Sequence, residues 1–346
     1  VIRGVVKSAS RAGYEILGFL HGFEGLLQPN KLRELTLENT AGILIQGGTI
    51  LKSSNRGHFV SRVGIDGVLA LDPAVIAQVR QTFDQQQLEG LVCIGGDGSL
   101  STALQLWQAG LPVVGVPKTI DNDLGATAFT FGFDSAVACA VDALDRLHTT
   151  AASHERIMVL EVMGRHAGWI ALHAGLAGGA DAILIPEIPW DYEQLCAKIR
   201  ERNEAHKNFT IIVVAEGARL PNGALVERQP VAQDRQAQLG GIGMIISQRL
   251  QELTSQEARC VILGHLQRGG TPTNFDRALA TQLGVHAVQL IEQRQFGQMV
   301  CYHPPEMHSA PIAEAVAQLR TVDANCSALV AARAMGICVG SHSDSK

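Results

Sequence analysis

Three short stretches put carboxylates, glycines and basic residues just after apolar runs. After Leu91–Ile94 comes Gly95-Gly96-Asp97-Gly98-Ser99, which opens a segment of helical periodicity. Glycine lets a backbone approach a phosphate closely, a helix N-terminus offers unpaired N–H groups, and the Asp97 carboxylate is an oxygen ligand of the kind magnesium takes. An ordinary strand-to-helix turn capped by Asp or Ser uses the same residues, but three glycines exceed what a cap requires. After Pro112–Val116 comes Pro117-Lys118-Thr119-Ile120-Asp121-Asn122-Asp123. Taken as extended chain, this segment puts Thr119, Asp121 and Asp123 on one side. One carboxylate can then take the proton of an attacking hydroxyl while the other serves a metal, as phosphoryl transfer requires. Asn122 to Gly125 is equally a turn sequence. After Ile157–Val162 comes Met163-Gly164-Arg165-His166-Ala167-Gly168-Trp169, entering another helix. Arg165 suits a phosphate or a sugar hydroxyl, and His166 reads as a packing or capping residue. His166 and His173, seven apart on one helical face, lack a third metal ligand.

The elements that must position these groups alternate along the chain. Apolar runs at Ile43–Ile45, Gly90–Ile94, Pro112–Val116, Ile157–Val162, Ala182–Ile185, Phe209–Ala215 and Arg259–Leu263 are separated by segments of 3.6-residue period, among them Ser99–Ala109, Asp134–Thr150, Tyr192–Ala205 and Phe275–Glu292. This is the pattern of an α/β chain with doubly wound, mainly parallel sheets, where ligands bind beyond the carboxyl ends of the strands. Glu216–Gln238 reads as a loop, and the tail from Gly340 as frayed. With 346 residues, 46% of them hydrophobic, the chain makes two lobes or one large sheet, which excludes disordered and fibrous classes. A net charge of −5 speaks against nucleic acid as a partner. Seven cysteines without a CxxC spacing fit a reducing compartment, and neither a disulfide framework nor a zinc site is expected. The uncharged run Gly98–Pro117 is long enough to span a membrane, but Gln105, Gln108, Gly110 and Pro112 make it a helix, a turn and a buried strand. No N-terminal targeting signal is visible.

The three motifs keep their order and spacing with Ser153-His154-Glu155-Arg156, Val214-Ala215-Glu216-Gly217 and Gly264-His265-Leu266-Gln267-Arg268-Gly269-Gly270, and together they resemble the bacterial-type 6-phosphofructokinase family. Gly-Gly-Asp-Gly alone is shared with NAD kinases and diacylglycerol kinases; the other motifs are far more specific. The resemblance runs from Arg3 to about residue 290.

It implies two similar lobes with the active site in the cleft between them. One lobe would hold residues 1–132 and about 267–317, with the phosphoryl donor, and the other residues 133–266 and about 318–346, with fructose 6-phosphate. The implied reaction is phosphorylation of the sugar 1-hydroxyl by MgATP, the committed step of glycolysis, in a cytoplasmic homotetramer. Asp121 resembles the general base, with Thr119 and Lys118 near the transferring phosphoryl and Arg165 and Arg56 stabilising its charge. Arg56, Gly96, Asp97, Gly98 and Ser99 match donor positions, and Asp97 and Asp123 the magnesium-associated carboxylates. Thr119, Asp121, Met163, Gly164, Arg165, Glu216, His265 and Arg268 match sugar-phosphate positions, while Arg156 and Arg259 match arginines that reach in from a neighbouring subunit. Several Arg and His donors are what a phosphate dianion needs.

Two departures qualify the match. Val1 aligns just after the family's first strand and glycine loop, so a preceding segment is expected. If the protein instead began at Val1, it would be a non-catalytic sugar-phosphate-binding subunit. The donor markers also diverge: Gly98 is of the ATP kind, Lys118 of the pyrophosphate kind. An Asp at position 98 would crowd the α-phosphate of ATP, so Gly98 favours ATP, with a reversible pyrophosphate-dependent transferase as the alternative. Arg3, Lys7 and Asp181 match part of the family's effector site, but His148 stands where an arginine is expected.

Overall fold

A computed structural model describes residues 1–28, 30–54, 57–59, 70–229 and 238–340. The chain forms two compact units: Val1–Thr119, Leu124–Gly132 and Gly270–Leu319 make the first, and Ile120–Asp123, Phe133–Gly269 and Arg320–Lys346 the second. The first opens with α1 (Ile2–Arg11), the antiparallel pair β1 (Leu17–Phe19) and β2 (Leu32–Glu34), α2 (Pro73–Gln85), β3 (Leu91–Gly95), α3 (Asp97–Gln108), β4 (Val113–Thr119) and β5 (Phe131–Gly132). The second is built from α4 (Phe133–His154), β6 (Ile157–Val162), α5 (Trp169–Ala177), β7 (Ala182–Leu184), α6 (Tyr192–Glu204), β8 (Thr210–Ala215), β9 (Glu227–Gln229), β10 (Gln238–Leu239), α7 (Ile242–Thr254) and β11 (Ala258–Ile262). The chain returns to the first unit for α8 (Asn274–Glu292), β12 (Gln298–His303), β13 (Glu306–Pro311) and α9 (Ile312–Ala317), then to the second for α10 (Ser327–Ala334).

The larger sheet of the first unit has the strand order β13-β12-β4-β3, with β5 also on β4; among the described residues, β12–β13 is the antiparallel pairing within it and the others are parallel. Successive residues of β4 serve opposite faces, as a pleated strand requires. Val113 joins Cys93, Leu100, Leu106 and Met299 in one core, while Val114 and Val116 join Leu279, Leu283 and Val300 in the other. Gly115 leaves room for α3, because a Cβ there would stand 2.8 Å from Leu100 Cδ2. Against the far face, α1 and α8 cross at glycines: a Cβ on Gly4 would lie 2.7 Å from the Thr281 carbonyl oxygen, and one on Gly284 equally close to that of Val1.

The second unit holds a four-stranded, all-parallel sheet, β11-β6-β8-β7. All six residues of β6 and all six of β8 are buried. Strands covered on both faces read as continuous apolar runs, which is how they appear in the sequence. Ile157, Val159, Ile212 and Val214 pack on one face against Leu195 and Ile199 of α6 and Ile242, Ile246 and Leu250 of α7.

Four expectations change. Ile43–Ile45 is a 3₁₀ turn, entered through left-handed Gly42 (φ 75°) and leaving Ile45 58% exposed, so three apolar residues without a neighbouring strand do not join a sheet. Glu227–Gln229 pairs with Gln238–Leu239 inside the stretch read as loop. α5 starts at Trp169, so His166 precedes the helix and shares no helical face with His173. Ile120–Asp123 groups with the second unit, where the Arg320 N–H donates to the Asp123 carbonyl at 2.8 Å, and residues 267–269 also stay there. Residues 341–346, in the tail expected to fray, lie outside the described residues. All seven cysteines are free thiols, and among the described residues no helix is long and apolar enough to cross a membrane.

Candidate active site

In the first unit, β3 and β4 run parallel with Gly95 opposite Pro117, so the glycine turn and Lys118-Thr119 leave the sheet side by side. A Cβ on Gly96 would stand 3.4 Å from Thr119 Cβ and 3.5 Å from the Lys118 carbonyl oxygen. Gly96 is the N-cap of α3, and Asp97, Gly98 and Ser99 form the first turn. A Cβ on Gly95 would fall on the Ser99 side chain. The end of β4 is held by Thr130, whose hydroxyl donates to the Thr119 carbonyl at 2.7 Å. An anion beside this helix start meets backbone N–H groups and the positive end of the helix dipole, with the exposed Lys118 on the adjoining strand end. Arg56 lies outside the described residues.

Past the end of β4, the extended backbone expected through Thr119, Asp121 and Asp123 does not continue. Asn122, 2% exposed, adopts a left-handed backbone (φ 52°) and turns the chain between the two aspartates. Asn tolerates this conformation because its short polar side chain bonds locally. Asp123 is 7% exposed and Asp121 half-buried.

The corner Met163–Gly168 is gripped from several directions. The Glu216 N–H donates to the Val162 carbonyl at 2.8 Å and the Gly217 N–H to the Gly164 carbonyl at 3.0 Å. Gly217 must be glycine, since a Cβ there would fall on the Arg165 carbonyl. Gly164 itself has φ 141°. The Met163 N–H donates to Gln267 Oε1 at 2.7 Å, and the Gly168 N–H to the carboxylate of Glu187, which also accepts from the Val322 N–H at 2.8 Å. Near the end of β6, buried Glu161 accepts from the N–H groups of Gly241 and Gly243 at the start of α7.

These grips bring Arg165 into the field of Glu216. Burial pushes the Glu216 carboxyl above its ordinary range; the positive charges of Arg165 and Arg268 oppose that shift, and the negative charges of Asp121 and Glu161 add to it. Three carboxylates and two guanidiniums therefore act on one another around Glu216, just past the end of β8. His265 and Arg268 are exposed on the 3₁₀ turn Gly264–Arg268. Arg156 and Arg259 both pair with Glu257, Arg156 Nε at 2.6 Å, which holds the Glu257 carboxyl below its usual range.

Sequence reasoning missed Gln267, Glu187 and Glu257 as partners of the candidate residues. Glu257 had a signal, since it lies two residues before Arg259 at the start of a strand. Among the described residues no group of three or more His, Cys, Asp or Glu side chains is placed to hold a metal. Of the effector positions, Arg3 and Lys7 line a cavity of about 310 Å³ together with Arg11 and Leu37. Asp181 pairs with Arg202 at 2.5 Å and accepts from the Ile211 N–H, while His148 Nε2 lies 2.7 Å from the Gly178 carbonyl.

Residues 1–291 match the family model described as Phosphofructokinase. The chain belongs to the phosphofructokinase family. It is 50% identical over 340 residues to an ATP-dependent 6-phosphofructokinase of Chloroflexus aurantiacus, an alignment that covers 98% of this chain and 93% of that protein. It is 47% identical over 326 residues to a pyrophosphate–fructose 6-phosphate 1-phosphotransferase of Amycolatopsis methanolica, covering 93% and 91%. The fold matches a solved phosphofructokinase of Saccharomyces cerevisiae with a TM-score of 0.77 and 28% identity, over 91% of this chain and 42% of the yeast chain. The mainly parallel sheets are thus those of phosphofructokinases.

Proposed function

We propose that this phosphofructokinase transfers the γ-phosphoryl group of ATP to the 1-hydroxyl of fructose 6-phosphate, giving fructose 1,6-bisphosphate and ADP. The observation that carries the reading is the gathering of Asp121, Glu216, Arg165 and Arg268 in one electrostatic neighbourhood, in a chain half identical to ATP-dependent relatives. Asp121 accepts the proton of the attacking hydroxyl. Arg165 stabilises charge on the transferring phosphoryl, and Thr119 and Lys118 contact it from the end of β4. Arg268 and His265 hold the sugar phosphate, Glu216 accepts from sugar hydroxyls, and the Met163–Gly164 backbone lies along the sugar. Arg156 and Arg259 reach the phosphate of a neighbouring subunit in a homotetramer.

Gly96, Asp97, Gly98 and Ser99 receive the donor phosphates, with Arg56. Magnesium binds through one or two carboxylates plus phosphate oxygens and needs no all-protein cage. Asp97 and Asp123 are carboxylates of that kind and would hold it, and the bound ion would neutralise charge on the donor phosphates. The reaction belongs to the cytoplasm.

Lys118 and the pyrophosphate-dependent relatives support a second reading, in which pyrophosphate is the donor. A steady-state assay with fructose 6-phosphate and either MgATP or magnesium pyrophosphate separates the two. Turnover with ATP is expected, and turnover with pyrophosphate alone would overturn the ATP assignment.

A further inference from the structure

We propose that Gln267 is a positioning residue for the acceptor half of the site, tying the turn that carries His265 and Arg268 to the corner that carries Met163, Gly164 and Arg165. Gln267 is 3% exposed, although its neighbour Leu266 is 70% exposed and Arg268 lies open. The turn thus points its apolar residue outward and buries a carboxamide, which is unfavourable unless the amide is hydrogen-bonded. The bond it makes runs to a residue 104 positions away, with Oε1 accepting from the Met163 N–H at 2.7 Å.

The orientation of the amide follows from its partner. A backbone N–H needs an acceptor, so the oxygen must face Met163. That leaves Nε2 buried with no hydrogen-bond partner among the described residues. A side chain chosen for burial alone would not carry this unmatched donor. The bond to Met163 compensates only in part, so the acceptor oxygen is what the position requires.

Register explains why the bond is needed. Pairing of β6 with β8 ends at Val162 opposite Ala215, and β11 leaves β6 at Ile262 opposite Glu161. Met163 is the first residue past both ladders. The Leu263 N–H donates to the Glu161 carbonyl at 3.0 Å, and Gln267 makes the next link. Two groups of sugar-phosphate residues, about a hundred positions apart in sequence, are thereby held at a set spacing. A rigid ligand that touches both senses that spacing, whereas a phosphoryl donor bound at the first unit does not.

The inference rests on the sugar-phosphate reading above. Full-length wild type, Gln267→Met and Gln267→Asn are compared by steady-state kinetics and thermal melting. Met keeps the volume and loses the acceptor; Asn keeps the carboxamide but is one methylene short of Met163, and it carries the test should the Met variant not fold. Both variants are expected to raise the KM for fructose 6-phosphate about tenfold, with kcat within about threefold and the donor KM unchanged. An unchanged KM for fructose 6-phosphate, or a loss shared equally by kcat and both substrates, overturns the positioning role. Absence of wild-type turnover with either donor would instead remove the sugar-phosphate reading itself.

Discussion

Replacing Gly217 by alanine tests whether the Met163–Gly168 corner is held by contact with the end of β8. The new Cβ would stand 2.7 Å from the Arg165 carbonyl carbon and 2.8 Å from the Gly164 carbonyl oxygen, and closer still to the Arg165 oxygen. All three are backbone atoms in a corner tied down by Gln267 and Glu187, so no flexible side chain can swing aside. Either the corner stays and the overlap strains the fold by about 1–3 kcal/mol, or the corner moves. Relieving contacts this short takes a shift on the order of an ångström at Arg165, and a misplacement of that size costs about a hundredfold in rate. The expected result is a kcat/KM for fructose 6-phosphate lowered by about that factor, with a depressed denaturation midpoint. Gly223→Ala is the control. Gly223 has φ 83° with nothing within 4 Å of an added methyl, so alanine there strains a surface turn and should leave kcat/KM within about twofold. Wild-type kinetics in Gly217→Ala would refute the idea that this contact sets the position of Arg165.

Asp121→Ser is expected to lower kcat by roughly 10²–10⁴-fold while leaving equilibrium binding of fructose 6-phosphate largely intact; an unchanged kcat removes Asp121 from the base role. Glu216 has a folded pKa raised above its ordinary 4.5, chiefly by burial. The folded state then binds more protons than the unfolded state from about pH 4.5 upward, so this group's contribution falls as pH rises through that window and is level above the folded pKa. Glu216→Gln should abolish the slope, gaining stability relative to wild type as pH increases; urea melts at several pH values check the sign. Gly4→Ala should cost about 1–3 kcal/mol, because the methyl would meet the Thr281 carbonyl oxygen at 2.7 Å, and an unshifted urea midpoint would show that α1 and α8 can part.

Much of this was legible in the residues. β6 and β8 are buried on both faces, so their continuous apolar runs announced parallel strands. The glycines at 95 and 96 end β3 and begin α3, the strand-to-helix junction their sequence suggested. Ile43–Ile45 misled because three apolar residues carry no information about a pairing partner. The alternation expected of Asp121 and Asp123 presumed extended backbone, and Asn122 between them is left-handed instead.

By itself the sequence determined which chemical groups stand at strand ends and which segments alternate between strand and helix, because periodicity and turn chemistry are properties of a few neighbouring residues. Tertiary structure alone decided which groups meet. Glu216 shares a field with Arg165 because β8 pairs with β6 in one register, and Gln267 reaches Met163 because both ladders on β6 stop short of it. Strand order and register link residues a hundred positions apart, and no local pattern records them.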